Sequence, residues 1–364
     1  MRWRACAAIG AALVCAVVVL RFNGFAASGA ETPAVGAADR AARAAAAAAA
    51  LRGSLLIDGA ALAECGARIA GAGRRRKFRA THHLWRGTLV ARDAEHGRFH
   101  DLVSAVPRSG VVFLYVPKVA SSTSREYAAA LGGTATTWPA ALAESPAATT
   151  FALTRDPLER FLSALGTLAH RSRGDGWSAN AAAARCGNAT AKAFAGTAVG
   201  RYSYPHAAEL ARCVLERAEA AGPYFNHHLA PQVSYYVVPA AAGGDGGNVS
   251  AAPFAGVRSP APVRAFPMLR AEGTSNVQAA WDAAADNRGP RSPPLPASAR
   301  NVQEGRFKPL NYTRLLAKLG PHFARRTCRL YEDDYACLRL PAPDACRPVL
   351  GDDHPGGFFR DPTT

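Results

Sequence analysis

Two apolar runs that stop abruptly at polar turns set the frame of this chain. Val111 to Val116 reads Val-Val-Phe-Leu-Tyr-Val, β-branched and aromatic without polar alternation, the pattern of a buried parallel strand. Pro117-Lys118-Val119-Ala120-Ser121-Ser122-Thr123 follows at once, and Ser121, Ser122, Thr123 and Ser124 predict a helix start before Arg125 to Leu131. Thr150 to Thr154 repeats the arrangement. There a short strand runs into Arg155, with Asp156 and Pro157 opening a second helix that carries Arg160 and Ser163. Alternation of apolar strand and helix elsewhere predicts an α/β domain built on a parallel sheet with right-handed crossovers.

Other stretches break that alternation. Ala5 to Leu20 is apolar, follows Arg2 and Arg4, and is succeeded by small residues near Ala26, Ala27 and Ser28, so it reads as a signal anchor or a cleaved signal. The flanking arginines favour a cytosolic N-terminus, with Arg21 opposing them. Residues 26–52 are dominated by alanine and suit a partly helical stem. From Pro239 to Ser298 the chain is rich in Gly, Pro and Ala, and Gly243 to Gly247 and Pro290 to Pro296 predict an insert or long loop. The expected organisation is a cytosolic tail and anchor at 1–25, a stem and basic segment at 26–80, a catalytic domain at 81–345 interrupted near 239–300, and a tail at 346–364. With 364 residues in all, one domain of ordinary to large size remains after anchor and stem.

Charge and cysteines narrow the setting. A net charge of +16 suits nucleic acid, anionic membranes or acidic polysaccharides. The run Arg74-Arg75-Arg76-Lys77 with Arg79, beside His82 and His83, reads as a solvated face or as a contact for a sulfated or uronic-acid glycan. A secretory route argues against nucleic acid. Asn188-Ala189-Thr190, Asn248-Val249-Ser250 and Asn311-Tyr312-Thr313 are glycosylation acceptors by pattern. Cys6 and Cys15 lie in the apolar segment, which leaves Cys65, Cys186, Cys213, Cys328, Cys337 and Cys346 as an even set for an oxidising compartment, with the pairing open. No C-x-x-C pair, H-E-x-x-H, Ca²⁺ loop or dinucleotide fingerprint is present, so no metal is expected.

The chemistry sits in the two strand–turn–helix units. A hydroxyl-rich loop that opens a helix offers donors to an anion at the positive end of the helix dipole, and Lys118 adds a full charge. Arg155 and Ser163 lie two helical turns apart and can share a face toward one anion. Two such units on one sheet imply a ligand with two anionic ends. Asp156 and Arg160, at i and i+4, are expected to pair on the helix surface.

These residues resemble the motifs of the membrane-bound Golgi-type carbohydrate sulfotransferases, which use 3′-phosphoadenosine 5′-phosphosulfate (PAPS). The resemblance implies that Pro117, Lys118, Val119, Ala120, Ser121, Ser122 and Thr123 hold the 5′-phosphosulfate, and that Arg155, Arg160 and Ser163 hold the 3′-phosphate. His228-Leu229-Ala230-Pro231-Gln232 is similar to the family's His-x-x-Pro-Gln segment, and Tyr331-Glu332-Asp333-Asp334-Tyr335 to its closing Tyr-x-x-Asp-Tyr helix. The likeness covers roughly 110–240 and 305–338. It implies a P-loop-like three-layer sandwich with a central parallel sheet flanked by helices, PAPS as co-substrate, a glycan acceptor, and a single-pass type II protein with its catalytic domain in the Golgi lumen.

Within that frame Lys118 stabilises charge on the leaving phosphate. His228, which precedes the strand-like stretch Val233 to Val238, is the first choice for general base, with His227 and Glu126 as alternatives. Asp333 and Asp334 are expected to be solvated on a helix that closes the domain. A tyrosyl-protein sulfotransferase and a catalytically silent glycan-binding protein on the same scaffold are the rival readings.

Overall fold

The computed structural model describes residues 37–58, 60–61, 102–171, 186, 203–221, 228–236, 238–239, 257–258, 261–268, 273–285 and 311–350. The chain divides into two units, Met1–Ala41 and Ala42–Thr364. Of the first, only the opening of helix α1 (Ala37–Arg52) is described. The expected anchor, the basic run at 74–79, the acceptors Asn188 and Asn248, and His227 all lie outside the described residues. Among those described, no helix is long and apolar enough to cross a membrane.

Six strands of the second unit form one mixed sheet in the order β1 (Leu55–Ile57), β8 (Val263–Pro267), β5 (Thr149–Thr154), β3 (Val111–Leu114), β2 (Leu102–Val106) and β4 (Thr134–Thr137). Strands β3, β5 and β8 run parallel in the middle. The outer strands β1, β2 and β4 pair antiparallel, so the class is α/β but the sheet is not wholly parallel. The reason is local: β2 reaches β3 through a single 3₁₀ turn, Pro107–Ser109, closed by Gly110 at φ 62°, and a link so short permits only an antiparallel return. A separate two-stranded pairing joins β6 (Val238–Pro239) to β7 (Val257–Arg258).

Two apolar cores hold these elements. The first lies on the sheet and is centred on aromatic rings: Trp281 of α6 (Gly273–Ala284) packs 4.9 Å from Phe151 and 5.7 Å from Phe113, and meets edge-on Tyr127 of α2 (Ser121–Ala130) at 5.2 Å. Trp138, which opens α3 (Trp138–Glu144), is fully buried and donates from its indole to Thr150 Oγ1 at 3.3 Å. The second core is made by α4 (Pro157–Arg171), α5 (Tyr204–Ala221) and α7 (Tyr312–Leu330), with Phe161, Leu165, Leu215 and Phe323 inside. Helix α7 is two segments meeting at Gly320, whose φ of 78° and ψ of 170° are non-helical, just before Pro321. Asn311 is exposed, and its Oδ1 caps α7 by accepting from the Arg314 amide.

Three expected boundaries are corrected. Residues assigned to a stem belong to the folded unit: Arg43 forms a two-bond ion pair with Asp282 of α6 (2.7 and 3.0 Å), Ala47 and Ala50 pack on the first core, and β1 is a strand of the sheet. The supposed insert contributes β8, a strand in the sheet interior, and α6. Val263, Ala265 and Phe266 are buried there, while Arg264 donates to Ser54 Oγ. A five-residue strand that contains an arginine and ends in proline hides among Gly and Pro, because so short a run carries too little apolar pattern to stand out. The domain also runs past 345. Cys346 and Leu350 are buried, Leu350 at the end of α9 (Arg347–Leu350).

Disulfides join Cys186 to Cys213 of α5 and Cys328 of α7 to Cys346, and Cys337 of α8 (Glu332–Cys337) is also disulfide-bonded. The stretch from Val233, expected as a strand, is a buried 3₁₀ turn, Gln232–Tyr236. Its amides are held by a carboxylate instead of a neighbouring strand, as described below.

Candidate functional site

Strands β3 and β5 are hydrogen-bonded neighbours, with Val111 opposite Thr149 and Phe113 opposite Phe151. Because they run parallel, the loops that leave them, 115–120 and 155–156, emerge side by side at one edge of the sheet. In open α/β sheets the carboxyl ends of the strands are where ligands bind. Both sequence-predicted units therefore lie where one ligand can touch them.

The first loop bends by an unusual backbone. Lys118 has φ 68° and Ala120 φ 58°, two of three non-glycine residues with positive φ among those described. Each costs about 1–2 kcal/mol. Left-handed residues alternating with ordinary ones form the backbone in which successive N–H groups converge as an anion nest. The N-cap of α2 is Ala120, which has no polar side chain to cap with, in place of the expected hydroxyl residue. Ser121, Thr123 and Ser124 are buried, Ser122 is exposed, and Lys118 is half-buried. Ser124 Oγ has no hydrogen-bond partner among the described residues. The first-turn amides of α2, which no carbonyl of their own helix can accept, open onto this bend.

The second loop is fixed from three directions. Asp156 caps α4, its Oδ1 accepting from the Glu159 amide at 2.8 Å and its Oδ2 from Tyr335 Oη at 2.8 Å. Gln232 holds both backbone groups of Arg155: the Arg155 amide donates to Oε1 at 3.0 Å, and Nε2 donates to the Arg155 carbonyl at 2.7 Å. A side-chain amide thus stands in for a strand beyond the end of β5. The Arg155 side chain lies along α4 with Nε 3.3 Å from Glu159 Oε2 and its guanidinium 5.5 Å above the Tyr312 ring. Ser163 is half-buried two turns along α4.

Arg160 does not pair with Asp156 on the surface. It is 1 % exposed, one of the largest buried side chains described. Nε donates to the Pro117 carbonyl at 2.9 Å and Nη1 to the Ala230 carbonyl at 2.7 Å, so one guanidinium ties the Lys118 loop to the His228 segment. A fork with fixed donor directions does this better than a flexible ammonium. Asp334 is also buried, contrary to the solvated position expected. It accepts from the amides of Gln232 (2.9 Å) and Val233 (2.8 Å), and Tyr331 Oη donates to the Leu229 carbonyl at 2.6 Å.

All four stretches singled out in the sequence thus meet through Arg160, Gln232, Asp156 and Asp334. His228 is buried within this assembly, two residues before Ala230, whereas Glu126 is exposed on α2. Sequence reasoning missed the structural part played by Gln232 and Asp334, although both lie in the His-x-x-Pro-Gln and Tyr-x-x-Asp-Tyr segments. Among the described residues, no group of three His, Cys, Asp or Glu side chains is placed to hold a metal ion.

Burial raises two of these carboxyls. Asp156 is pushed up to about 6 by desolvation, against the Glu159 amide and Tyr335 hydroxyl. Asp334 is also pushed up to about 6 by desolvation, against the nearby charge of Arg160 and the amides it accepts. An acid whose folded value exceeds its unfolded one binds more protons when folded, so its contribution to stability is complete below about 4 and is lost as pH rises through about 6. Asp156→Asn keeps a capping oxygen but cannot titrate. Denaturant titrations of both proteins will show the wild type gaining on the variant by about 2 kcal/mol as pH falls from 7.5 to 4.5. A stability difference independent of pH would refute the shift.

No family model, curated protein or solved structure matches the chain.

Proposed function

We propose that this chain is a PAPS-dependent carbohydrate sulfotransferase of the membrane-bound Golgi type, which moves a sulfonate group to a hydroxyl of a glycan acceptor. One observation carries the reading. The four motif-like stretches, 117–123, 155–163, 228–232 and 331–335, are distant in sequence yet bonded to one another around the carboxyl ends of β3 and β5. Chance matches have no reason to converge in this way.

In this role Pro117 to Thr123 receive the 5′-phosphosulfate, and Arg155 with Ser163 the 3′-phosphate. Arg160, whose Nε and Nη1 are taken by protein carbonyls, belongs to the frame around them. When bound, PAPS supplies an activated sulfonate on a phosphate leaving group. Lys118 neutralises charge there, and the nest and first-turn amides of α2 hold the anionic oxygens without having to reorganise. His228 takes the acceptor proton; in support, its segment and the Lys118 loop are both tied to the Arg160 guanidinium, through the carbonyls of Ala230 and Pro117. The reading calls for no metal and no nucleic-acid partner. It assigns the fold to the P-loop-like three-layer sandwiches, and Ala5 to Leu20 to a type II anchor.

Arg155→Ala tests the donor site. Its guanidinium is partly exposed, so little stability is lost with the Glu159 pair. Calorimetry with adenosine 3′,5′-bisphosphate should show affinity weakened by about 1.5–3 kcal/mol, the scale of a charge-assisted hydrogen bond. Unchanged affinity would remove the second unit from the site.

A further inference from the structure

Helices α5 and α7 lie side by side, and their opening halves carry an exposed basic face that the donor site does not use. Arg314 stacks 4.4 Å over the Tyr204 ring, and Arg212 Nη2 donates to the Lys318 carbonyl at 3.3 Å. Arg212, Arg314 and Lys318 are all exposed, and none has a carboxylate within ion-pair distance among the described residues. From end to end α7 contains no acidic residue. The face begins at Tyr312, the ring under Arg155, and so is continuous with the candidate site. It also has a boundary: farther along, Glu219 of α5 holds Arg326 through both oxygens, and Glu216 lies near the same guanidinium. In the half nearest Arg155 the exposed Arg212, Arg314 and Lys318 outnumber the one acidic residue there, Glu209 of α5, so that half keeps a net positive charge.

The chemistry of this face selects its occupant. Three cations spread over two neighbouring helices fit a ligand with repeated negative groups better than a single anion. The Tyr204 ring takes one side of the Arg314 guanidinium, whose N–H donors can serve a planar or tetrahedral oxyanion. A membrane surface would call for apolar side chains among the cations, but the large exposed apolar residues described are Leu51 and Leu56, on α1 and β1. The disulfide at Cys213, next to Arg212, belongs to an oxidising compartment, where the common anionic polymers are polysaccharides.

We propose that Arg212, Arg314 and Lys318 form an exosite for an anionic polysaccharide, a chain that carries sulfate or carboxylate groups at regular intervals. This rests on the sulfotransferase reading only in that the tethered chain is the acceptor. Because the face adjoins Arg155 and not the Lys118 loop, it holds the polymer beside the 3′-phosphate end of the donor site and leaves the reacting hydroxyl to be placed elsewhere.

The test is binding of size-defined heparin oligosaccharides to the full chain over a series of salt concentrations, with no donor present. The variant Arg212→Glu/Arg314→Glu/Lys318→Glu should bind at least about tenfold more weakly at 0.1 M salt, with a plot of log K against log salt shallower by roughly two to three. A control, Arg52→Glu/Arg108→Glu/Arg347→Glu, removes equal charge from exposed sites elsewhere and should lose less than about threefold. Equal losses in both variants would reduce the effect to net charge and overturn the exosite. Loss of binding to phosphatidylserine vesicles but not to heparin in the patch variant would overturn it as well. Calorimetry with adenosine 3′,5′-bisphosphate separates the two readings. Heparin binding that depends on the patch, without bisphosphate binding, sinks the sulfotransferase and keeps the exosite; the converse result sinks the exosite alone.

Discussion

Lys118→Ala will leave the chain folded and lower sulfonate transfer by roughly 10²–10³-fold, the usual loss when one preorganised charge-stabilising donor is removed. Both halves of this expectation follow from the loop. Lys118 sits at φ 68°, and alanine meets the same left-handed penalty as lysine, so the substitution neither relieves nor adds backbone strain. The bend is fixed by the Pro117 carbonyl on Arg160, which the variant retains. What disappears is the cation, and it acts mainly where charge builds up as the sulfur–oxygen bond breaks. The loss should therefore fall on kcat, with donor affinity changed far less. Turnover near wild type in a variant with an unaltered unfolding curve would deny Lys118 this role.

Arg160→Met will produce the largest loss of stability among the site residues, about 3–5 kcal/mol by urea denaturation. Methionine fills much of the same volume but leaves the buried carbonyls of Pro117 and Ala230 unpaired, each at a cost of about 1–3 kcal/mol. It also deprives buried Asp334 of a nearby positive charge. Arg160→Lys should recover part of the loss, since an ammonium keeps the charge but cannot span both carbonyls as the fork does. Adding Asp334→Asn to Arg160→Met should cost less than the sum of the single changes, because the two groups share one network. A methionine variant within about 1 kcal/mol of wild type would mean that the guanidinium is not what joins the two loops.

Much of the site was legible because its residues are tied to strand ends. A continuous apolar run that stops at Pro-Lys or Arg-Asp-Pro marks the carboxyl end of a buried strand, and β3 and β5 lie where those runs stand. What could not be read is which polar residue faces inward. Asp156 and Arg160 are spaced for a surface pair, yet the helix turns Arg160 toward the sheet, and its partners are carbonyls 43 and 70 positions away. Gln232 and Asp334 hold backbone groups and not side chains, and sequence carries no mark for such contacts. Strand β8 was hidden for another reason. Its five residues bear an arginine and a terminal proline among glycines, and only pairing with β5 and β1 makes them a strand. The alanines of α1 misled in the opposite sense: a composition that suits a stem is held to the domain by the Arg43–Asp282 ion pair and by Ala47 and Ala50 packed on the first core.

The central claim is sulfonate transfer, and its most direct test is incubation of the full chain with PAPS labelled in the sulfonate, against a panel of glycans and tyrosine-containing peptides. The expected result is label in glycan hydroxyls, reduced by roughly 10²–10³-fold in Lys118→Ala. Label in the peptides alone would make the chain a tyrosyl-protein sulfotransferase. Label in no acceptor, from a folded chain that still binds glycans, would contradict the account and leave a binding protein on this scaffold.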